Sequence, residues 1–452
     1  MTEVDGQSDP TSALNDELTD NRREIFGWKM YDWAWSAFST TVVTALLGPY
    51  LFELADDAGG VPLGGFTIAA ASFFPFAVSF SALLQVIVLP LVGTVADHTS
   101  HKKTMMMGLA YFASAVTAAM FLITSTTVVL GGVLFVLASI GYGAAGVVYN
   151  SFLPEIAKPE ERDRVSSGGF AYGYAGGGIW LALNFALIAL MDDTALAVRL
   201  SLGGSGLWAG LFIFAFTQRH LRARPANRSK PEGTGWVGFS VRSVVATGRE
   251  MRSRYPVTFR YLLAYLIFND GILTVIAVAT SFASDELDAE PETLLLLVLL
   301  IQFVAVPGAI GFGQLAERFG SKRSLLWNLA VWAGLVIYAF LQLDSIPKLW
   351  VMGTVLAFVL GGSQAISRSL YSQMIPADRE AEYFGFYEIA SRGTSWIGPA
   401  AFGVVNQITG SQRQAILALI FFFVVGIALL IPVDVRKGMA DVGQDSSKLN
   451  TT

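Results

Sequence analysis

Long apolar runs recur along almost the whole chain, from residue 27 to residue 433, and no other feature constrains the fold so strongly. Each run approaches the roughly 20 residues that an α-helix needs to cross the hydrocarbon core of a bilayer. They lie near 29–52, 67–93, 104–125, 127–150, 167–190 and 199–217, and again near 260–282, 293–313, 325–343, 349–372, 384–407 and 413–433. Of the 452 residues 53% are apolar and only 14% charged, against about 25% charged in a soluble domain. The expected fold class is an all-α membrane protein with twelve transmembrane helices. Pro75, Pro90 and Pro307 interrupt two of the runs, which neighbouring helices tolerate by re-satisfying the freed backbone groups.

The basic residues orient these helices. Of 30 Lys and Arg, only Arg199, Lys348 and Arg413 fall in or beside the loops of one side, whereas ten lie between residues 218 and 260. The positive-inside rule then places both termini and this linker in the cytoplasm of a plasma or inner membrane. The chain divides into a polar tail (1–26), a six-helix half (27–217), a basic linker (218–258), a second six-helix half (259–433) and a C-terminal tail (434–452). The first tail has no apolar core, so no signal peptide is read there. The linker's charge is ordinary topogenic charge, with anionic lipid as a second reading.

The two halves echo one another. Gly93-Thr-Val-Ala-Asp97-His-Thr-Ser-His-Lys102-Lys103 joins the second and third runs. Gly313-Gln-Leu-Ala-Glu317-Arg318-Phe-Gly320-Ser-Lys322-Arg323 joins the eighth and ninth, offset by 220 residues. Pro154 and Pro376, after the fourth and tenth runs, are 222 apart. Two such halves describe a parallel duplication, the organisation of a transporter. In each loop the glycine permits close helix approach. The carboxylate can accept hydrogen bonds at a helix N-terminus, and the bases are expected to hold one half against the other. The pair reads as a cytoplasmic gate.

These loops resemble the signature of the major facilitator superfamily, over almost the whole chain. Further segments resemble one branch, the family of the fungal vacuolar amino-acid effluxer and its bacterial relatives. They are Tyr31-Asp-Trp-Ala-Trp-Ser-Ala-Phe38, Phe268-Asn-Asp-Gly-Ile-Leu-Thr274, Gly361-Gly-Ser-Gln-Ala-Ile-Ser-Arg368, Arg379-Glu-Ala-Glu-Tyr-Phe-Gly-Phe-Tyr387 and Gly398-Pro399. The resemblance implies a secondary carrier working by rocker-switch alternating access, with amino acids or similar metabolites as the suggested solute.

Charges inside the runs carry the most information, since each costs about 2.5–3.5 kcal/mol at the bilayer centre. Asp270 lies deep in the seventh run and Asp32 in the first. Their spacing is 238 rather than 220, and the excess is assigned to residues 53–66. Asp270 is read as a cavity residue able to exchange a proton, or as a structural partner of Asn269. Glu388 and Arg392, four apart on one helix face, form either a self-neutralising pair or a site in which Arg392 holds a substrate carboxylate. Arg392 paired with Asp270 or Asp32 would instead be a gate. Gln85, Asn150, Trp180, Asn184, Gln302, Gln364, Tyr387 and Trp396 are the other deep polar or aromatic residues; Asn269, Tyr387 and Gln364 join the cavity set with Asp270, Asp32, Arg392 and Glu388.

The three histidines, His98, His101 and His220, all lie in cytoplasmic loops, so proton coupling has to use carboxylates. The chain has no Cys, which excludes disulfides and thiolate chemistry. No metal set, nucleophile triad or phosphate-binding loop is present, so no cofactor is expected, and neither enzyme activity nor direct use of ATP. The net charge of −5 gives no reason to expect nucleic acid. The expected partners are a small-molecule substrate, membrane lipid and protons, for a monomer. Efflux of lipophilic compounds and a non-transporting scaffold are the rival readings.

Overall fold

The computed structural model describes residues 10–226, 228–230, 233–392 and 397–445. Apart from one short hairpin and the connecting turns, the described residues are helical: α1 (Pro10–Ala37), α2 (Leu47–Asp57), α3 (Ala70–Asp97), α4 (Lys102–Ala118), α5 (Val128–Ser151), α6 (Leu153–Ile156), α7 (Arg162–Leu190), α8 (Thr194–Phe212) and α9 (Gln218–His220). After the linker helix α10 (Trp236–Arg254) come α11 (Pro256–Leu287), α12 (Pro291–Phe319), α13 (Ser321–Leu341) and α14 (Ile346–Gln373). The chain ends with α15 (Glu380–Arg392), α16 (Ile397–Thr409), α17 (Gln412–Ala418), α18 (Ile420–Leu430) and α19 (Val435–Asp441).

Eleven helices among the described residues are long and apolar enough to cross a membrane. The run expected at 384–407 is described as α15 and α16, with residues 393–396, Trp396 among them, outside the described residues. The first crossing runs unbroken from Asn21 to Asp57, and a π-helical stretch, Phe38–Leu46, joins α1 to α2. Pro256 and Pro291 open α11 and α12, where the fixed φ suits a first turn and no N–H is missed.

Residues 53–66, where the sequence placed the first half's extra length, run into an antiparallel hairpin, β1 (Val61–Leu63) and β2 (Phe66–Ile68). Gly64 and Gly65 form its turn with φ of 55° and 104°, angles that side-chain-bearing residues rarely adopt.

Two hydrophobic cores result. One gathers residues from Trp28 to Leu221 together with Ala381; the other gathers residues from Met251 to Met439. Outward faces carry Leu83, Ile87, Leu183, Leu207, Phe421 and Val424, as a bilayer requires of a helix bundle.

The two cores meet along α7 with α12 and α14, and, at the end that carries the two basic loops, along α3 with α15. There α3 packs along α15, not along α16. A Cβ on Gly93 would overlap the Ala381 carbonyl, and one on Gly385 would come 2.9 Å from the Pro90 Cα.

Candidate functional site: a charged network between two cores

Arg368, near the end of α14, is the centre of the polar structure. Its guanidinium is buried against the rings of Phe170 and Trp28, 4.2 Å and 4.7 Å from their centroids. Its Nη1 and Nη2 each lie 3.3 Å from Asp32 Oδ2. Nε donates to Ser166 Oγ at 3.0 Å and Nη2 to the Ser166 carbonyl at 3.0 Å. Tyr149 donates its hydroxyl to the same Asp32 oxygen at 2.6 Å. Asp32 and Tyr149 come from the first core's helices α1 and α5, Arg368 from the second core's α14. A buried charge is tolerable only with such a full set of partners.

The network continues through Asn150. Its Oδ1 accepts from Arg368 Nη1 at 3.3 Å, and its Nδ2 donates to Glu388 Oε1 at 2.9 Å. Glu388 Oε2 accepts from Arg392 Nε at 2.8 Å. Arg392 in turn lies 5.9 Å from the Trp35 ring centroid. Asp32, Arg368, Glu388 and Arg392 thus alternate in sign along one line that, through Asn150, crosses between the cores three times. The two arginines differ in access: Arg392 keeps 31% of its side chain exposed, Arg368 only 4%.

Asp32, Glu388 and Arg392, singled out from the sequence, are therefore joined. Arg392 pairs with Glu388 on its own helix, and Asp32 pairs with Arg368 instead. Gln364 donates to Asn269 Oδ1 at 3.2 Å, and Asn269 donates to the Ser391 carbonyl at 3.2 Å, one residue before Arg392. Tyr387 stacks on Tyr265 at 4.3 Å and on Tyr371 at 5.2 Å. Asp270 stands apart. It is buried, neither carboxylate oxygen has a hydrogen-bond partner of ordinary geometry among the described residues, and the Gly398 backbone amide is the group that bears on it.

The basic loops meet the opposite core through carboxylates. Asp97 Oδ1 accepts from the Ala381 N–H at 3.1 Å and Oδ2 from the Glu382 N–H at 2.7 Å, so it caps the first turn of α15. At the second loop Glu317 faces Arg164 at 3.9 Å, and Asp163 accepts from the Ser321 hydroxyl at 2.7 Å. A Cβ on Gly313 would press on the Ser167 side chain.

The lysines of the two loops make their direct contacts within their own halves. Lys102 pairs with Glu155 at 2.5 Å and lies 3.9 Å from Asp97; Lys103 donates to the Gln218 carbonyl and Lys322 to the Ile431 carbonyl, each at 2.7 Å. These hydrogen-bond and ion-pair partners belong to each lysine's own core and order the loop locally, while the Lys102 ammonium also bears on Glu380 of α15 in the other core. Arg318 lies over the neighbouring Phe319 ring, and Arg323 is also engaged. Gly320 takes φ of 90° to start α13; Ser100 stands at the matching position, and that loop turns without a positive φ.

Outside the membrane crossings, Arg379 is clamped by Glu250, Glu382 and Thr247. Burial works against its charge, yet the Glu250 and Glu382 carboxylates more than offset it and raise its pKa. Burial pushes the neighbouring Glu380 carboxyl upward, opposed by Lys102.

The whole length of this architecture matches one family model, "Vacuole effluxer Atg22 like", over residues 20–443. The chain belongs to that family. An uncharacterized MFS-type transporter, YxiO, of Bacillus subtilis (strain 168) is 30% identical over 430 residues, covering 93% of this chain and 97% of that protein. Autophagy-related protein 22-1 of Penicillium rubens is 24% identical over 554 residues, covering 96% and 93%. Among solved structures, the human organic anion transporter MFSD10 (TETRAN) superposes with a TM-score of 0.70 at 14% identity, covering 91% and 99%. A variant of the E. coli fucose:proton symporter FucP gives 0.67 at 13%, covering 90% and 97%. This Atg22-like chain accordingly has the major facilitator fold, is a multi-pass membrane transporter and is not an enzyme.

The sequence reading missed Arg368, Tyr149 and Ser166 as members of the network. Arg368 had a usable signal: Asn150, to which it bonds, precedes it by 218 residues, close to the 220-residue offset of the loops, so the two occupy matching places in the two halves.

Proposed function

We propose that the chain carries a small zwitterionic or carboxylate-bearing solute, an amino acid or similar metabolite, by proton-coupled rocker-switch alternating access. The observation that supports this most directly is the line from Asp32 through Arg368, Asn150 and Glu388 to Arg392. Two carboxylates face two guanidinium groups along it. A zwitterion brings the same two charges and can take the place of the Glu388–Arg392 pair without leaving a charge unmatched. Its carboxylate fits the partly exposed Arg392 fork. Drawing Arg392 away from Glu388 also frees Glu388 to pull on Asn150, and through Asn150 on the contact between cores. Substrate occupancy and the strength of the central contact are thereby linked.

Asp270 suits the proton. An isolated carboxylate in such a place is costly, so a proton taken up from one side stays until the bundle rocks. The fucose relative of the fold is named as a proton symporter. With the basic loops cytoplasmic in a plasma or inner membrane, the close packing of α3 on α15 corresponds to a state shut toward the cytoplasm. The two cores then act as six-helix halves of a monomer, with Asp97, Glu317 and Asp163 as the latch.

The test is uptake and counterflow of labelled amino acids in proteoliposomes, with and without an imposed pH gradient. Accumulation that follows the gradient is the expected result. Uptake that ignores the gradient would remove the proton. Failure of every amino acid, alongside movement of a lipophilic cation, would transfer the site to an apolar solute held on the Tyr265, Tyr387 and Tyr371 stack.

A further inference from the structure

The linker helix α10 has two unlike faces. One face buries Ser240, Thr247 and Met251 against the bundle. It is fixed to the latch region: Thr247 donates to Glu382 at 3.1 Å, Arg379 bridges Glu250 and Glu382, and the Phe239 ring meets His98 edge-on at 4.9 Å. Through these contacts α10 touches the loop after α3 and the first turn of α15 together. The adjoining face carries Val237, Val241 and Val245 at the i, i+4, i+8 spacing of one helical stripe, exposed by 74%, 48% and 55%. Arg242, Arg249 and Arg252, all exposed, flank the stripe. The helix's one acid, Glu250, is already engaged by Arg379.

Trp236 at its start is also exposed. An apolar stripe bordered by arginines, at the edge of a membrane bundle, has the composition of a helix lying in the headgroup layer. Topogenic charge alone explains the arginines and does not explain a row of valines facing away from the protein.

We infer that α10 docks on an anionic lipid surface, with Val237, Val241 and Val245 in the upper acyl region and Arg242, Arg249 and Arg252 on the lipid phosphates. The adjoining face of α10 keeps its grip on α15, so lipid bound along the stripe rests beside the Asp97 latch. This holds whatever solute the carrier moves.

The chain has no native Cys, so single reporters are clean. Val237→Cys, Val241→Cys and Val245→Cys would each carry a nitroxide, in phosphatidylcholine vesicles with or without phosphatidylglycerol. Collision with a water-soluble nickel complex reads immersion. The expected result is strong shielding at all three positions in the anionic vesicles and much weaker shielding in pure phosphatidylcholine. Neutralising Arg242, Arg249 and Arg252 to Gln one at a time should weaken docking roughly fivefold each.

Labels equally shielded in both vesicles would overturn the anionic recognition, and labels wet in both would overturn the docking. Inorganic phosphate reproducing the effect in pure phosphatidylcholine would assign the arginines to a free anion instead. Shielding in lipid-free detergent with a doubled particle mass would assign the face to a second copy of the chain. The reporter variants leave all arginines in place, so the first comparison does not depend on any arginine variant folding.

Discussion

Asp32 Oδ2 accepts from both terminal nitrogens of Arg368 at 3.3 Å and from the Tyr149 hydroxyl at 2.6 Å, which puts one carboxylate oxygen at the junction of α1, α5 and α14. Removing either charge strands the other in a buried place. Asp32→Ala and Arg368→Ala are each expected to destabilise the protein by about 3–5 kcal/mol, seen as a large fall in thermal stability in detergent. Asp32→Ala combined with Arg368→Ala removes both charges together, so its loss should fall short of the summed single losses by about 0.5–3 kcal/mol. Additive losses would mean that the pair is not coupled.

At the basic-loop end a single carboxylate, Asp97, receives two amides of the first turn of α15. Interactions of that kind contribute about 0.3–2 kcal/mol, enough to shift a balanced conformational equilibrium severalfold. Ser151→Cys supplies a reporter, since Ser151 is fully buried at this end. Alkylation by a membrane-impermeant maleimide should be slow in the parent and faster when Asp97→Asn is added. Gly93→Ala should speed it further, because the new Cβ meets the Ala381 carbonyl and backbone cannot swing aside as a side chain can. Unchanged rates in both would show that the latch lies elsewhere.

The elements most legible in the sequence were those set by period and duplication. Apolar runs located eleven of the twelve expected crossings, with ends that differ by up to eight residues, and the 220-residue offset located both loops and their glycines. What stayed hidden depended on partners distant in the chain. Arg368 sits close to the predicted end of its run, where an arginine normally reaches water; only Asp32, Asn150 and Ser166, from three other helices, make its burial possible. Lys103 and Lys322 mislead in the opposite way, because a basic cluster next to a facing domain suggests a clasp and side-chain reach decides otherwise. Tyr149 looks like packing until its hydroxyl is seen on Asp32.

Arg392 and Arg368 should separate site from scaffold. Arg392 is partly exposed and paired along its own helix, so Arg392→Ala is expected to leave folding close to that of the parent. Loss of a charge-assisted contact of about 1.5–3 kcal/mol would raise the half-saturation concentration of a carboxylate solute roughly ten- to hundredfold, with maximal rate less affected. Arg392→Lys should recover part of the affinity, lacking the bidentate fork. Concentration-dependent uptake in proteoliposomes decides this, and an unchanged half-saturation would return Arg392 to a structural pair with Glu388.

Glu380 gives the latch region a pH response of definite sign. Burial raises its carboxyl pKa in the folded protein, and the Lys102 ammonium only partly opposes this. The folded state therefore holds the Glu380 proton more tightly than the unfolded chain does. Its contribution favours folding at pH below the ordinary carboxyl value and declines as pH rises from there through the raised folded value. Glu380→Gln stays neutral at every pH and lacks this decline. Thermal stability followed from acid to neutral pH should fall less steeply in the Gln variant than in the parent, with the two curves converging at the acid end. Curves that run parallel throughout would mean that Glu380 titrates alike in both states and that Lys102 fully compensates its burial.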